Sequence, residues 1–133
     1  MDRYIFDVDG TLTPSRQKIL PEMEELFLKF ITVKSVYLVT GSDYKKTEEQ
    51  LGKTIVEKVE KVYNCAGSDV WMNGKNIRKS DWVLPYECKI WLDDILNESE
   101  YPLRTGIHFE DRPGLCNFSI VGRKANTEQR QDY

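Results

Sequence analysis

The stretch YIFDVDGTLT at residues 4–13 decides the fold class of this chain. Its first part, Tyr4 to Val8, is a short apolar run of the kind that forms a buried strand. The run leads directly into Asp9-Gly10, a strong turn signal, and a polar loop continues to Gln17. Two aspartates, Asp7 and Asp9, therefore stand where a predicted strand ends.

Strands and helices alternate through the rest of the first half. Apolar side chains recur at helical spacing from Ile19 to Ile31, which predicts an amphipathic packing helix. A second apolar run ends in the polar segment Thr40-Gly41-Ser42-Asp43, and a helix follows it. The predicted elements are strand 4–8, helix 19–31, strand 36–39, helix 44–51 and strand 59–65.

This alternation is typical of a parallel sheet joined by crossover helices. In such sheets, ligands bind beyond the carboxyl ends of the strands. The loop with Asp7 and Asp9 and the loop that begins at Thr40 both follow strands. We therefore expect both loops at the same edge of the sheet.

The character of the sequence changes from about Asp69. Asn73-Gly74, a preferred two-residue hairpin turn, separates two short strand-like runs. Beyond it, the pattern predicts a helix over 85–96, antiparallel strands over 104–110 and 115–121 around Pro113-Gly114, and a final helix with Thr127 as its N-cap. The second half is therefore predicted to be an α+β module.

Composition excludes several classes of function. The 133 residues are 40% hydrophobic and carry a net charge of -3, which predicts a globular chain with no general attraction to nucleic acid or anionic membranes. No stretch reaches the roughly 20 apolar residues of a membrane span, and charged residues directly follow the first methionine. We expect a cytosolic protein that binds neither nucleic acid nor membrane.

The cysteines and the single histidine do not form a recognisable site. Cys65, Cys88 and Cys116 are widely spaced and form no CxxC pair, so we interpret them as reduced, partly buried side chains. His108 lies in an apolar run, and we interpret it as a structural or exposed residue.

The motif DVDGTLT at residues 7–13 resembles the phosphoryl-transfer loop of the haloacid dehalogenase (HAD) superfamily. The resemblance implies that Asp7 attacks phosphorus to form an aspartyl-phosphate and that Asp9 protonates the leaving group. It also implies Mg²⁺, bound by Asp7 and the backbone carbonyl of Asp9, because a carboxylate that attacks a phosphate dianion needs a neutralising cation. The alternative is that Asp9-Gly10 is an ordinary turn with a helix-capping threonine nearby.

Thr40 and Ser42 follow the second strand, where HAD proteins carry a hydroxyl that hydrogen-bonds the transferring phosphoryl group. Either residue fits that role. A Ser-Asp pair that opens a helix is also typical of an N-cap, so capping is the alternative interpretation.

The spacing of the arginines narrows the resemblance to eukaryotic-type phosphomannomutases. Arg16 lies nine positions after Asp7, in the context TPSRQ. In the second half, Arg123 follows Arg112 by eleven residues and Arg130 follows by seven more, the intervals of that family's cap. The resemblance implies that these arginines bind a hexose phosphate, a role suited to the planar guanidinium group.

The role of the cap arginines has a competing interpretation. They also fit exposed residues that pair with Glu110, Asp111 and Glu128, which contributes little to stability. In addition, a straight hairpin would separate Arg112 from Arg123 by roughly 25 to 30 Å. Either the sheet curves or one of these two arginines is not a ligand.

The resemblance covers nearly all of this chain but only about the first half of a complete phosphomannomutase. After Arg130 there is no counterpart of the family's further core strands, sugar-contact segment, superfamily lysine or acidic metal-binding loop, and Pro113 replaces the usual asparagine. We expect a fragment, a protein completed by another polypeptide, or a shortened relative that has lost catalysis. An exposed sheet edge also makes a homodimer a hypothesis.

Together these features predict an HAD-like α/β core over residues 1–80, present in part, and an incomplete α+β cap over residues 81–133. The predicted function is phosphomannomutase-like transfer between the 6- and 1-positions of mannose. Two alternatives remain: an HAD phosphatase that acts on sugar phosphates, and a truncated, non-catalytic protein that binds sugar phosphates or serves in assembly.

Overall fold

The computed structural model describes residues 2–133, which form two compact units divided between Ser80 and Asp81. The elements of the first unit are β1 (Arg3–Phe6), α1 (Pro21–Val33), β2 (Ser35–Val39), α2 (Tyr44–Leu51), α3 (Lys53–Lys58), β3 (Lys61–Asn64), β4 (Asp69–Met72) and β5 (Lys75–Lys79). Those of the second are α4 (Tyr86–Glu98), β6 (Phe109–Arg112), β7 (Leu115–Phe118) and α5 (Thr127–Asp132).

The first unit is built on a five-stranded sheet in the order β1-β2-β3-β4-β5. Strands β1, β2 and β3 are parallel, and β4 and β5 extend the sheet as an antiparallel hairpin. The register pairs Phe6 with Leu38 and Val39 with Tyr63. The carboxyl ends of the three parallel strands therefore lie along one edge, which confirms the predicted α/β class.

One face of this sheet holds the core. Leu38 and Val62 on that face have no exposed surface, and residues of α1, α2 and α3 join them in a single apolar cluster. Phe6 packs edge-to-face against Phe27 and Phe30 of α1, with ring centroids 5.4 and 5.8 Å apart. These contacts fix β1 and the loop that follows it.

The opposite face of the sheet is open. Ile5, Tyr37, Val39 and Tyr63 line a shallow cavity of about 480 Å³ there, Arg3 and Lys61 also belong to its lining, and Ile5 is 68% exposed. Strand β1 also forms one edge of the sheet. The first unit therefore has an apolar face and an adjacent edge strand that its own helices do not cover.

In the first unit, the predicted end of β1 is wrong and one helix was not predicted. Strand β1 ends at Phe6 rather than Val8, because Val8 is the buried residue around which the following loop closes. Helix α3 was not predicted at all. Gly52, at φ +86°, separates it from α2, and only Ile55 and Val56 face inward, too few to give a periodic apolar signal.

The hairpin of the second unit turns at Pro113-Gly114 as predicted, with Arg112 opposite Leu115. Its strands are shorter than the predicted 104–110 and 115–121. The first is interrupted because Gly106 and Ile107 both have positive φ, and the second bends after Phe118. The strands therefore form a short ladder with a returning segment beyond it.

Two smaller predictions in this unit are also wrong. Asn126, not Thr127, caps α5, because its side chain accepts the Gln129 N–H while the Gln129 side chain accepts the Asn126 N–H. Cys88 is exposed rather than partly buried. Among residues 2–133, no disulfide joins the three cysteines.

Candidate active site

The loop after β1 is closed around one carbonyl group. The Val8 carbonyl accepts N–H donors from Thr11, Leu12 and Thr13 at 3.2, 3.0 and 3.1 Å. Gly10 enables this turn, since its φ of +73° is unfavourable for residues with a side chain. Asp7 precedes the loop and is exposed, with the Val8 N–H donating to its Oδ1 at 2.7 Å. The loop thus presents the Asp7 carboxylate at the carboxyl end of β1.

Asp9 lies in the same loop, but its carboxylate is held from two sides. Its Oδ1 accepts Nε2 of Gln50 at 2.6 Å and the backbone N–H of Arg16 at 2.9 Å. Burial acts to raise the pKa of Asp9, but these hydrogen bonds and the nearby Lys46 outweigh it and lower the pKa. Asp9 is therefore ionised at neutral pH in this arrangement, whereas protonation of a leaving group requires its acid form.

Gln50 is a residue of this site that the sequence analysis did not identify. It lies in the last turn of α2, is 4% exposed, and also donates to the Gln17 carbonyl at 3.2 Å. With Thr47 and Leu51 it forms the inward face of α2. A polar residue at an inward helical position is a signal that the sequence contains, since such a side chain needs a buried partner.

Thr40 and Ser42 are both buried at the carboxyl end of β2. The Thr40 hydroxyl oxygen accepts the Ser42 N–H at 3.2 Å, which leaves its proton available to an acceptor. Helix capping belongs to Asp43, whose Oδ1 accepts the Lys46 N–H at 2.8 Å. Capping therefore explains Asp43 and leaves Thr40 and Ser42 without a capping role.

Topology brings Asp7 and Thr40 to the same edge. Phe6 of β1 pairs with Leu38 of β2 in the parallel ladder. Asp7 comes one residue after Phe6, and Thr40 comes two residues after Leu38. Neighbouring strands lie about 4.8 Å apart. Arg16 reaches this edge through its backbone contact to Asp9, at a φ of +62°, and its side chain is exposed.

In the second unit, one carboxylate joins two of the predicted arginines. Glu110 Oε1 accepts Nε and Nη2 of Arg112 at 3.0 and 2.8 Å, and Oε2 accepts Nε of Arg123 at 2.7 Å. Only 12% of the Arg112 side chain and 26% of the Arg123 side chain are exposed. The pairing with Glu110 is one that the alternative interpretation predicted, but the two arginines are mostly covered and not exposed.

The returning segment after β7 explains why these arginines meet. The Arg123 N–H donates to the Ile107 carbonyl at 2.9 Å, so the chain folds back beside the start of β6. Gly122, at φ +97°, makes this possible, because a Cβ there would lie 2.6 Å from Thr105 Oγ1 and collide with the Gly106 carbonyl oxygen. The separation of roughly 25 to 30 Å expected for a straight hairpin does not occur.

Arg130 has a different environment from the other two. Its Nε donates to the Ala125 carbonyl and its Nη2 to the Arg123 carbonyl, both at 2.8 Å. It therefore fastens α5 to the segment that carries Arg123. His108 is likewise structural, since its Nδ1 lies 2.9 Å from the Ser119 carbonyl oxygen, within hydrogen-bond distance.

Comparison with known proteins assigns the family. The family model of eukaryotic phosphomannomutase matches residues 23–133. The chain belongs to the eukaryotic phosphomannomutase family. The matched range begins after Asp7, Asp9 and Arg16, so the assignment does not depend on the loop that carries them.

Curated phosphomannomutases align with nearly the whole chain. The phosphomannomutase of Schizosaccharomyces pombe is 31% identical, over 97% of this chain and 54% of its own length. Mouse phosphomannomutase 1 is 33% identical, over 97% of this chain and 52% of its own length. The chain thus spans about half the length of the curated relatives it matches.

Solved structures show the same fold at low sequence identity. A sugar phosphatase of HAD subclass IIB has a TM-score of 0.53 and 18% identity, over 74% of this chain and 38% of its own. The IMP-bound, N-terminally truncated IMP-nucleotidase of Plasmodium falciparum has a TM-score of 0.53 and 11% identity, over 99% of this chain and 44% of its own. The fold of this phosphomannomutase-family chain is HAD-like.

The donors predicted for Mg²⁺ are the Asp7 carboxylate and the Asp9 carbonyl. Across residues 2–133 no cluster of three or more His, Cys, Asp or Glu side chains is placed to hold a metal ion. Both donors are oxygens, and Mg²⁺ is often bound by one or two carboxylates together with waters and substrate phosphates. The donor types are therefore compatible with Mg²⁺.

Among residues 2–133, no helix has both the length and the apolar character of a membrane span.

Proposed function

We propose that this chain serves Mg²⁺-dependent phosphoryl transfer on hexose phosphates through an aspartyl-phosphate, with mannose 6-phosphate and mannose 1-phosphate as the pair that is interconverted. The observation that carries the proposal is the position of Asp7, an exposed carboxylate directly after β1 on the same sheet edge as Thr40. Family membership supports the substrate class, since the curated relatives are phosphomannomutases.

The proposed reaction uses Asp7 as nucleophile. One Asp7 oxygen forms a bond to phosphorus while the bond between phosphorus and the sugar oxygen breaks, and the Thr40 hydroxyl donates to a phosphoryl oxygen. The phosphorylated Asp7 then transfers its phosphoryl group to the free 6-hydroxyl of mannose 1-phosphate. Attack of Asp7 on the 1-phosphoryl group of the resulting bisphosphate releases mannose 6-phosphate and regenerates the aspartyl-phosphate. Bound by Asp7 and the Asp9 carbonyl, Mg²⁺ would neutralise charge between the carboxylate and the phosphate.

Asp9 is the proposed proton donor to the departing sugar oxygen. Gln50 and Arg16 lower its pKa, so it must gain a proton when the substrate is present. A phosphate dianion close to the Asp9 carboxylate would disfavour the ionised form and raise the pKa. The contacts with Gln50 and Arg16 therefore hold the Asp9 carboxylate in position. The charge of the bound substrate raises its pKa so that it can carry a proton.

We further propose that the first unit is the N-terminal part of an HAD core and that the second is an incomplete cap. In this arrangement Arg16, Arg112, Arg123 and Arg130 serve the phosphates of the substrate. Arg112 and Arg123 would contact the non-reacting phosphate, since they share one cluster at Glu110. Arg130 would support them through its contact with the Arg123 carbonyl.

The test is phosphoryl transfer by the 133-residue chain with Mg²⁺, mannose 1-phosphate and a hexose bisphosphate activator. Formation of mannose 6-phosphate supports the proposal. Asp7→Asn should abolish the transfer and leave the circular dichroism spectrum unchanged, because the nucleophile is lost and the shape is kept. Transfer that survives Asp7→Asn would exclude Asp7 as the nucleophile.

The same experiment separates two other functions. An HAD phosphatase would release inorganic phosphate without a bisphosphate activator. The similar fold of the HAD subclass IIB sugar phosphatase favours keeping this candidate. A non-catalytic binding or assembly protein would bind mannose 1-phosphate and form no Mg²⁺-dependent aspartyl-phosphate. The family model matches residues 23–133, a range that includes the cap arginines and not Asp7 or Asp9, and this match favours keeping the second candidate.

The open face of the first unit supports a proposed partner. Ile5, Tyr37 and Val39 lie on that face beside the edge strand β1, and apolar surfaces next to a free edge favour association. We propose that a second copy of this chain or a complementing chain covers them.

We also propose that the protein is located in the cytosol, which cell fractionation would test.

A further inference from the structure

Glu110 uses both of its carboxylate oxygens on arginines. Its Oε1 accepts two N–H donors of Arg112, and its Oε2 accepts Nε of Arg123 at 2.7 Å. Bonds between ionised donors and acceptors are shorter and roughly twice as strong as neutral ones. A single side chain thus couples two guanidinium groups that lie eleven residues apart in the sequence.

Hydrogen bonds hold the backbone around Glu110 and Arg123 in place. Glu110 and Arg112 are two residues apart on β6, so their side chains leave the same face of the strand. Arg123 is held by its N–H bond to Ile107 and by the contact of Arg130 with its carbonyl. Strand β6 and the returning segment therefore meet at this carboxylate, and α5 supports the returning segment through Arg130.

The charge state of Glu110 supports this coupling. Burial acts to raise the pKa of its carboxyl group, but the hydrogen bonds from Arg123 and Arg112 outweigh it and lower the pKa. Glu110 is therefore ionised at neutral pH. Within residues 2–133, Arg123 donates a side-chain hydrogen bond only from Nε, so its terminal nitrogens face no internal acceptor.

We propose that Glu110 is a positioning residue, which holds Arg112 and Arg123 side by side so that the two guanidinium groups meet one phosphoryl group of a hexose phosphate together. The inference rests on the proposed function, which supplies the ligand class. A free arginine side chain loses rotamer entropy when it binds a ligand. Fixing both side chains in advance removes much of that cost.

A purely electrostatic role for Glu110 predicts the opposite effect on phosphate binding when this residue is replaced. Glu110 carries a negative charge beside the proposed anion site, so its removal would make the cluster more positive and strengthen phosphate binding. Positioning predicts weaker binding in the same variant, because a glutamine amide has only one acceptor oxygen and cannot hold both arginines. The sign of the change in affinity therefore decides between the two roles.

The experiment is a calorimetric titration of the full 133-residue chain with mannose 1-phosphate, for the wild type, Glu110→Gln and Glu100→Gln. Glu100 is exposed in the same unit, so its variant removes the same charge away from the cluster. We expect Glu110→Gln to weaken binding by about tenfold and Glu100→Gln to change it less than twofold. Unchanged or tighter binding by Glu110→Gln would overturn the positioning role.

Nuclear magnetic resonance adds a readout that does not depend on affinity. The Nε–H signals of Arg112 and Arg123 should be protected from exchange in the wild type and exchange rapidly in Glu110→Gln, with the backbone spectrum retained. If Glu110→Gln does not fold, Glu110→Asp replaces it, since its carboxylate is one methylene too short to hold both arginines and should also weaken binding. Affinity retained by Glu110→Asp would then overturn the inference.

The two proposals fail in different ways. A wild-type chain that does not bind mannose 1-phosphate contradicts the proposed function and, with it, this inference. A wild type that binds the sugar phosphate with an affinity that Glu110→Gln leaves intact contradicts only the positioning role.

Discussion

Asp9 and Glu110 are carboxylates with lowered pKa values, but different donors lower them. Burial opposes ionisation at both sites. At Asp9 the hydrogen-bond donors are a neutral amide, Gln50, and a backbone N–H, with the charges of Lys46 and Arg16 adding a smaller effect, whereas at Glu110 the donors themselves are two guanidinium cations. A phosphate dianion can therefore restore the proton of Asp9 more readily than that of Glu110, which remains bound between opposite charges.

Replacement of Gln50 tests the environment of Asp9. Gln50→Leu removes the 2.6 Å hydrogen bond to Asp9, so the pKa of Asp9 should rise toward or above its ordinary value of 3.8. Stability should change little, because Gln50 Oε1 is buried without a partner and leucine removes that cost of about 1 to 3 kcal/mol.

The measurement is a carbon-13 titration of the Asp9 carboxyl group. Gln17→Leu is the matched control, since Gln17 contributes only its backbone carbonyl and its side chain is exposed. An Asp9 pKa that is equal in Gln50→Leu and the wild type would mean that this contact does not exist in solution.

Individual site residues differed in how well the sequence predicted them. Asp7 and Asp9 were identified because a local motif places them directly after a strand. Gln50 was not, because its contact with Asp9 spans 41 residues. Glu110 was named only as a pairing partner of exposed arginines, and its joint contact with Arg112 and Arg123 was not predicted. Such contacts depend on how the elements pack, which no local pattern contains.

At the scale of elements, the predictions succeeded where turn and helix-end signals were strong. Helix α2 was predicted with its observed bounds, and the hairpin turn at Pro113-Gly114 was also correct. The strands beside that turn were predicted too long, because the apolar pattern continues through Gly106 and Gly122 while the backbone bends at both. The bend, which brings Arg123 to Glu110, was therefore the feature that the sequence analysis lacked.

Gly122 should be the residue that most restricts this bend. Gly122→Ala is expected to destabilise the second unit by more than about 1 kcal/mol, since alanine is disfavoured at φ +97° and its Cβ would collide with the neighbouring segment. Displacement of Arg123 should also weaken binding of mannose 1-phosphate.

Urea unfolding followed by circular dichroism measures the loss. Gly41→Ala serves as the control, because a Cβ at Gly41 meets nothing within 4 Å. Equal stability of the two variants would show that the returning segment is not fixed by close approach at Gly122.

At the scale of the whole molecule, the first unit has a well-packed side and an open side. Leu38 and Val62 are fully buried on one face of the sheet, whereas Ile5 on the other is 68% exposed. The curated phosphomannomutases that align with this chain are about twice as long. An apolar face beside an edge strand is the structural reason to expect association.

The open face predicts how the chain behaves in solution. We expect the wild-type chain to form a dimer with increasing concentration, and Ile5→Glu to shift it to the monomer, because contact across that face would desolvate the new carboxylate, a cost that pairing with Arg3 or Lys61 does not recover. Val33→Glu is the matched control, since Val33 is 75% exposed at the end of α1 and away from the sheet face. Sedimentation equilibrium over a range of concentrations measures the mass. A wild-type chain that remains monomeric would exclude the homodimer and favour a complementing chain, whereas a dimer that both variants retain would place the interface elsewhere.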